Sequence, residues 1–168
     1  MLSIIHIQQR VFIETIMTMA LTTASEIADY FIYVANETGS YLSNLKLQKL
    51  LYYAQAWHLA LYDVPLFEED FEAWIHGPVI PSLYEQYQTF GWQPLLKEVQ
   101  KPQFSEELQN FLKEVTNEYF ILDTLELEMM THREAPWIEA RGNMPIDEPS
   151  LTIISQQSMK NYYKACVA

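Results

Sequence analysis

The sequence predicts a mainly α-helical, compact single domain that carries a small two-stranded antiparallel ribbon. Three observations predict this fold class. Capping residues precede several amphipathic segments, only two short runs have a strand pattern, and 49% of the 168 residues are hydrophobic against 19% charged. A chain of this length and composition can bury a sizeable core and does not resemble a disordered segment. We therefore expect one folded domain rather than two.

Two helices are predicted in the first third of the chain. Thr23 followed three residues later by Glu26 has the spacing of a capping box, and apolar residues then recur with the helical period until Gly39 supplies a stop signal. Ser43 is placed to cap a second helix, which is apolar on almost every face over residues 47–61. A helix that is apolar all round is expected at the centre of the fold.

Two short segments are predicted as strands. Apolar side chains recur at every second residue in 71–75, and Gly77 with Pro78 is expected to end that run. The only other β-rich run, residues 151–154, is the expected partner in an antiparallel ribbon. Because an isolated hairpin is marginally stable in water, we expect the ribbon to pack against helices.

Five further helices are predicted from residues that favour a helix N-terminus, namely Pro81, Ser105, Asp123, Pro136 and Ser155. Gly91 and Gly142 supply stop signals for the helices that begin at Pro81 and Pro136. Residues 93–103 contain two prolines and are predicted to form a surface loop.

Residues 1–20 are interpreted as an N-terminal extension or an upstream start of translation, and residues 21–168 as the domain proper. The extension is apolar, but His6, Arg10 and Glu14 interrupt it, and no cationic region precedes its apolar run. A membrane span needs about 20 consecutive apolar residues, and the sequence has no such run. We therefore expect neither a signal peptide nor a membrane partner.

The charge balance is strongly acidic. Ten Lys and Arg residues stand against 22 Asp and Glu residues, for a formal net charge of −12. The electrostatic field of this negative charge repels nucleic-acid phosphates and anionic lipids. A basic protein is therefore a better-matched partner than nucleic acid or a membrane. The single cysteine, Cys166, can form no internal disulfide. A cytoplasmic location is therefore expected.

The sequence contains none of several familiar catalytic motifs. Its 4 glycines are not clustered into a phosphate-binding loop, and it has neither a Gly-x-Ser-x-Gly elbow nor an HExxH zinc pair. Ligands from different helices can meet in a helical core, so His58, His76, His132 and Glu134 leave a small metalloenzyme open as an alternative. The wide spacing of these residues favours hydrogen-bonded core histidines instead. We expect no catalytic residue, no metal and no cofactor.

Residues 50–96 are both acidic and rich in aromatic side chains. This stretch contains no Lys or Arg, although it carries six Asp and Glu residues and several Tyr and Trp residues. Tyrosine and tryptophan often anchor protein interfaces. The region therefore indicates a binding surface, while an acidic face that only keeps the protein soluble remains the alternative.

Three blocks of the sequence stand out in their order along the chain. They are LKLQKLLYYAQAWHLAL at 45–61, FEAWIHGPVIPSLY at 71–84 and THREAPWIEAR at 131–141. Together they resemble the Panacea domain of the SocA-like and GepA-like antitoxin family, over about residues 22–165. The resemblance implies a helical protein of prokaryotes and their phages that neutralises a toxin encoded beside it. In one branch of the family it implies a proteolytic adaptor that delivers the toxin to a AAA+ protease.

The family motif falls on fourteen residues of this chain: Leu47, Gln48, Lys49, Leu50, Tyr53, Trp57, Trp74, Gly77, Pro78, Tyr84, His132, Pro136, Trp137 and Arg141. The resemblance implies that most of them are structural, with Arg141 pairing a buried carboxylate or helix-end carbonyls. The acidic, aromatic-rich region supplies the candidate toxin-binding residues, which are Tyr52, Glu68, Glu69, Asp70 and Trp92. A non-catalytic scaffold protein remains the second alternative to an antitoxin.

Overall fold

Seven α-helices and a small sheet are formed by residues 20–167, which are the residues that the computed structural model describes. The helices are α1 (Ala24–Thr38), α2 (Asn44–Tyr62), α3 (Pro81–Tyr87, followed by a 3-10 turn at Gln88–Phe90), α4 (Glu106–Tyr119), α5 (Thr124–Thr131), α6 (Ala135–Arg141) and α7 (Gln156–Val167). The strands are β1 (Phe71–Trp74), β2 (Gly77–Val79) and β3 (Ile153–Ile154). The mainly α fold class is therefore confirmed. The predicted extension, residues 1–20, lies outside the described residues except for Ala20.

The helices begin where the sequence predicts. Thr23 and Glu26 form a complete capping box at the start of α1, and Gly39 ends that helix in the left-handed conformation at φ 62°. Such residues satisfy backbone groups that the first and last helical turns leave without partners. Ser43 accepts a hydrogen bond from a first-turn N–H of α2, and Ser105 does the same for α4. These predicted helix starts are confirmed.

Helix α2 is the centre of the fold, as its all-round apolar sequence predicts. All of its residues from Asn44 to Ala60 are buried except Trp57, which is partly exposed. Helices α1, α4, α5 and α7 and strand β2 all pack against it. A helix surrounded in this way meets solvent only at Trp57 and in its last turn, which explains why its sequence has no polar stripe.

The sheet is larger than the predicted ribbon. Strand β1 pairs antiparallel with β3, with Phe71 opposite Ile154, as expected. The prediction that Gly77 and Pro78 only end the first strand is wrong, because they belong to β2, a third strand that pairs antiparallel with β1. The strand order β2-β1-β3 makes β2 an edge strand, and a proline without an N–H group is tolerated at an edge.

The predicted loop at 93–103 has no regular structure, and polar contacts hold it to α1 and to the segment that joins α1 to α2. Leu95 donates a backbone hydrogen bond to the carbonyl of Leu42 at 2.8 Å, and Lys97 pairs with Asp29 of α1 at 2.8 Å. Across the part of the chain that the structure describes, no helix is both long enough and apolar enough to cross a membrane.

Candidate functional site

The predicted toxin-binding residues do not form one surface. Glu68 and Asp70 are exposed, and Glu69 accepts a hydrogen bond from the backbone N–H of Ala24 at 3.1 Å, so these acids lie beside the first turn of α1. Trp92 is 70% exposed and lies beyond the other end of α1, where its carbonyl accepts a hydrogen bond from the Tyr41 hydroxyl. A 15-residue helix is about 22 Å long, so α1 separates the acids from Trp92.

Tyr52 is not at the surface. Its side chain is fully buried, and its ring meets the rings of Tyr53 and Phe71 edge to face at 5.5 and 5.6 Å. The prediction that Tyr52 is an exposed contact residue is therefore wrong. The physical reason is that neighbouring elements cover nearly every face of α2 up to Ala60, so a tyrosine at position 52 packs in the core.

Strands β1 and β2 form a hairpin. Two polar side chains of α2, both within the first family block, bind the backbone of this hairpin. Lys49 is fully buried and donates a hydrogen bond from Nζ to the carbonyl oxygen of Pro78 at 3.0 Å. Its neighbour Gln48 accepts a hydrogen bond at Oε1 from the backbone N–H of Ile80 at 2.9 Å. Burial of the ammonium group lowers the pKa of Lys49 to about 7, although Glu128 nearby favours the charged form.

Two side chains of the third family block, residues 131–141, bind backbone carbonyls of β1 and of the loop after α6. Arg141 is buried and donates from Nη1 to the carbonyl oxygen of Ala73 at 2.9 Å and from Nη2 to the carbonyl oxygens of Pro145 and Glu148 at 2.7 Å each. Trp137 donates from Nε1 to the carbonyl of the β1 residue Trp74 at 2.9 Å. The partners of Arg141 are therefore carbonyls of a strand and a loop, not the buried carboxylate or helix-end carbonyls that the resemblance implies.

Replacing Arg141 by lysine should lower the free energy of unfolding by about 1–3 kcal/mol, because a single ammonium group cannot reach carbonyls on both β1 and the loop after α6. Urea unfolding followed by circular dichroism measures the change. Arg133→Lys is the control, since Arg133 is exposed. Equal stability of the two variants would mean that the Arg141 contacts contribute nothing.

The histidines have separate structural contacts. The Nδ1 atom of His58 lies 2.8 Å from the carbonyl oxygen of Val64, as expected for a core histidine, and burial lowers the pKa of His58. His76 Nδ1 lies 3.0 Å from a carboxylate oxygen of Glu128, and the ring of His132 stacks on Trp137 at 4.2 Å. Among residues 20–167, no three His, Cys, Asp or Glu side chains are grouped so as to hold a metal ion.

Glu134 joins four helices through a buried aromatic cluster. Its carboxylate accepts hydrogen bonds from the hydroxyls of Tyr53 at 2.9 Å and Tyr163 at 2.5 Å, and burial raises the pKa of Glu134. Tyr53 stacks on Tyr119 at 4.1 Å, and the Tyr119 hydroxyl accepts a hydrogen bond from Trp57 Nε1 at 2.6 Å. The cluster links α2, α4 and α7 to the start of α6, so Glu134 has a structural role here.

A groove of about 710 Å³ runs between α2 and α4 beside this cluster. We call it the α2–α4 groove; its lining residues are Trp57, Leu61, Tyr62, Glu107, Asn110, Phe111, Lys113, Glu114, Val115, Glu118 and Tyr119. Sequence reasoning missed the groove because its two walls lie about 50 residues apart in the chain. The available signal was the spacing of Glu107, Glu114 and Glu118, which puts all three on one face of α4.

Comparison with known proteins gives one family match. A family model described as antitoxin SocA-like, Panacea domain, matches residues 47–138. No curated protein and no solved structure matches the chain. The match extends from α2 into α6 and includes both β-hairpin strands, so it covers the helix and hairpin that the buried polar contacts join.

Proposed function

The chain belongs to the family of SocA-like antitoxins with a Panacea domain, and on that premise we propose that it neutralises a toxin encoded near its own gene by binding that toxin directly. The observation that carries the proposal is the family match itself, which spans more than half of the chain. Binding is sufficient for neutralisation when the antitoxin covers the toxin's active surface, and a well-packed interface of about 1,600 Å² can reach the affinity that this requires. No catalytic residue takes part in such a mechanism.

The charge of the protein favours a basic toxin. A net charge of −12 attracts a positively charged partner from a distance and raises the rate of association at low salt. An enzyme that acts on RNA or nucleotides has a basic active surface, and an acidic antitoxin can occupy the phosphate site of that surface. We place this encounter in the cytoplasm, in keeping with the absence of paired cysteines from the sequence.

Direct binding is compatible with two outcomes for the toxin. The bound antitoxin either blocks the toxin's active surface or acts as a proteolytic adaptor that delivers the toxin to a AAA+ protease. The two routes differ in stoichiometry, because blocking consumes one antitoxin for each toxin, whereas an adaptor is reused.

Co-expression with the product of the neighbouring gene tests the proposal. We expect the protein to restore growth, to co-purify with that product, and to inhibit it in a cell-free assay of purified components. Inhibition that is complete at molar equivalence without a protease supports blocking. Inhibition that needs the protease and ATP supports delivery.

Two results would overturn direct binding. The first is growth rescue without co-purification or any measurable complex. The second is recovery of the toxin's damaged target by catalytic amounts of this protein in the absence of a protease. That second result would support enzymatic reversal, the metalloenzyme alternative.

A further inference from the structure

The α2–α4 groove has a preformed aromatic floor. Phe111, Val115 and Tyr119 of α4 are each less than 10% exposed and form its base. Trp57 lines the groove from the α2 side and donates a hydrogen bond from Nε1 to the Tyr119 hydroxyl at 2.6 Å. Because these rings are already held in place, a ligand loses little affinity to the ordering of side chains.

The walls of the groove offer apolar anchors to solvent. Leu61 and Tyr62, in the last turn of α2, are 50% and 51% exposed although they lie beside buried rings. The Tyr62 ring packs edge to face on Phe111 at 5.8 Å, which fixes its position. An exposed apolar patch with a polar rim marks an interaction site, and tyrosine is among the residues that often anchor a protein interface.

The rim of the groove on α4 is acidic. Glu107, Glu114 and Glu118 line one side, all three are exposed, and Lys113 is the only cation in the lining. Their spacing of seven and four residues aligns the carboxylates along one edge for about 17 Å, or three helical turns. An apolar trough with a carboxylate edge complements a helix that has one apolar face and flanking Lys or Arg residues.

We propose that the α2–α4 groove binds a basic amphipathic helix of the toxin, an assignment that rests on the proposed function. The apolar face of that helix, with anchors at a spacing of three and four residues, lies on Trp57, Phe111 and Val115. Its Lys and Arg side chains pair with Glu114 and Glu118. A second copy of this chain is a poorer occupant, because two proteins of net charge −12 would bring acidic surfaces together.

Binding kinetics of the purified neighbouring toxin to groove variants test the assignment. The double variant Glu114→Lys with Glu118→Lys should raise Kd about tenfold or more at low salt, mainly through slower association, and should reduce the dependence of association on salt. Leu61→Ala should act differently and speed dissociation about fivefold or more. All three positions are exposed, so thermal melting should show that the variants remain folded.

Matched controls change the same residue types elsewhere. Glu37→Lys with Glu85→Lys makes the same change in net charge on α1 and α3, and Leu125→Ala removes a side chain that is 64% exposed on α5. The charge control should slow association at low salt by less than the double groove variant does, because it changes the net charge equally without removing carboxylates from the groove, and Leu125→Ala should keep the wild-type Kd within about twofold. Hydrogen exchange of the full-length protein should also slow in α4 when the toxin is added.

The outcomes distinguish a failure of the groove assignment from a failure of the proposed function. If the wild-type protein binds the toxin and the groove variants bind as the controls do, the groove assignment is wrong and direct binding stands. If the wild-type protein does not bind the toxin, both are wrong. If sedimentation shows a dimer of this chain that the double variant dissociates, the groove is a contact between copies and the toxin assignment is overturned.

Discussion

Replacing Gly77 by alanine is expected to lower the free energy of unfolding by about 2–5 kcal/mol. Gly77 has φ +92°, where a residue with a Cβ atom is strained. A Cβ there would also lie 2.7 Å from Thr131 Oγ1 and 2.8 Å from Lys49 Cε. Both neighbours are fully buried, so relief of the overlap requires movement in a packed core.

Gly39→Ala separates the two causes. Gly39 also has positive φ, at 62°, but a Cβ would meet no atom within 4 Å. Its replacement should cost about 1 kcal/mol, the backbone strain alone. Thermal melting and urea unfolding of both variants measure the difference. If Gly77→Ala loses no more stability than Gly39→Ala, the contact with Lys49 and Thr131 relaxes freely and the close packing of the hairpin on α2 is not a constraint.

Replacing Lys49 by methionine should change how stability depends on pH. The pKa of Lys49 is about 7 in the folded protein, below the usual value of 10.5. Below pH 7 the lysine is charged in both states, and the folded state carries the full cost of burying that charge. Between pH 7 and 10.5 the folded protein releases the proton while the unfolded chain keeps it, so the free energy of unfolding of the wild type rises with pH.

The difference in free energy of unfolding, wild type minus Lys49→Met, should increase by about 3 kcal/mol between pH 7 and pH 9.5. Urea unfolding at several pH values gives the two curves, and the difference between them should shift in favour of the wild type as the pH rises. Lys113→Met is the matched control, because Lys113 is an exposed helical lysine and its curve should stay parallel to that of the wild type. Parallel curves for Lys49→Met would show that Lys49 keeps an ordinary pKa in the folded protein.

The caps and the central helix were predictable because their determinants lie close together in the chain. Thr23 and Glu26 form their capping box within one turn, and the apolar faces of α2 indicate a buried helix without reference to any other element. The pairing of β1 with β3 was predictable for a different reason: residues 71–75 and 151–154 were the only strand-like runs available.

The third strand was not predictable in the same way. Gly77 and Pro78 are common where a strand ends, and the local pattern cannot distinguish a stop from a hairpin turn that continues along a sheet edge. The structure decides between them through Gln48 and Lys49, which bind the backbone of the hairpin from a helix about 30 residues earlier.

The sequence by itself determined the helical fold class, the helix starts and the family of this protein. Capping boxes, hydrophobic periodicity and family motifs each depend only on residues that lie close together in the chain. Only the tertiary structure decided which residues face solvent and which meet. It buried Tyr52 and Lys49, placed Trp92 and the acids of 68–70 at opposite ends of α1, and brought α2 beside α4 to form the groove. The physical reason is that burial and surface shape depend on atoms from distant parts of the chain, which no local pattern records.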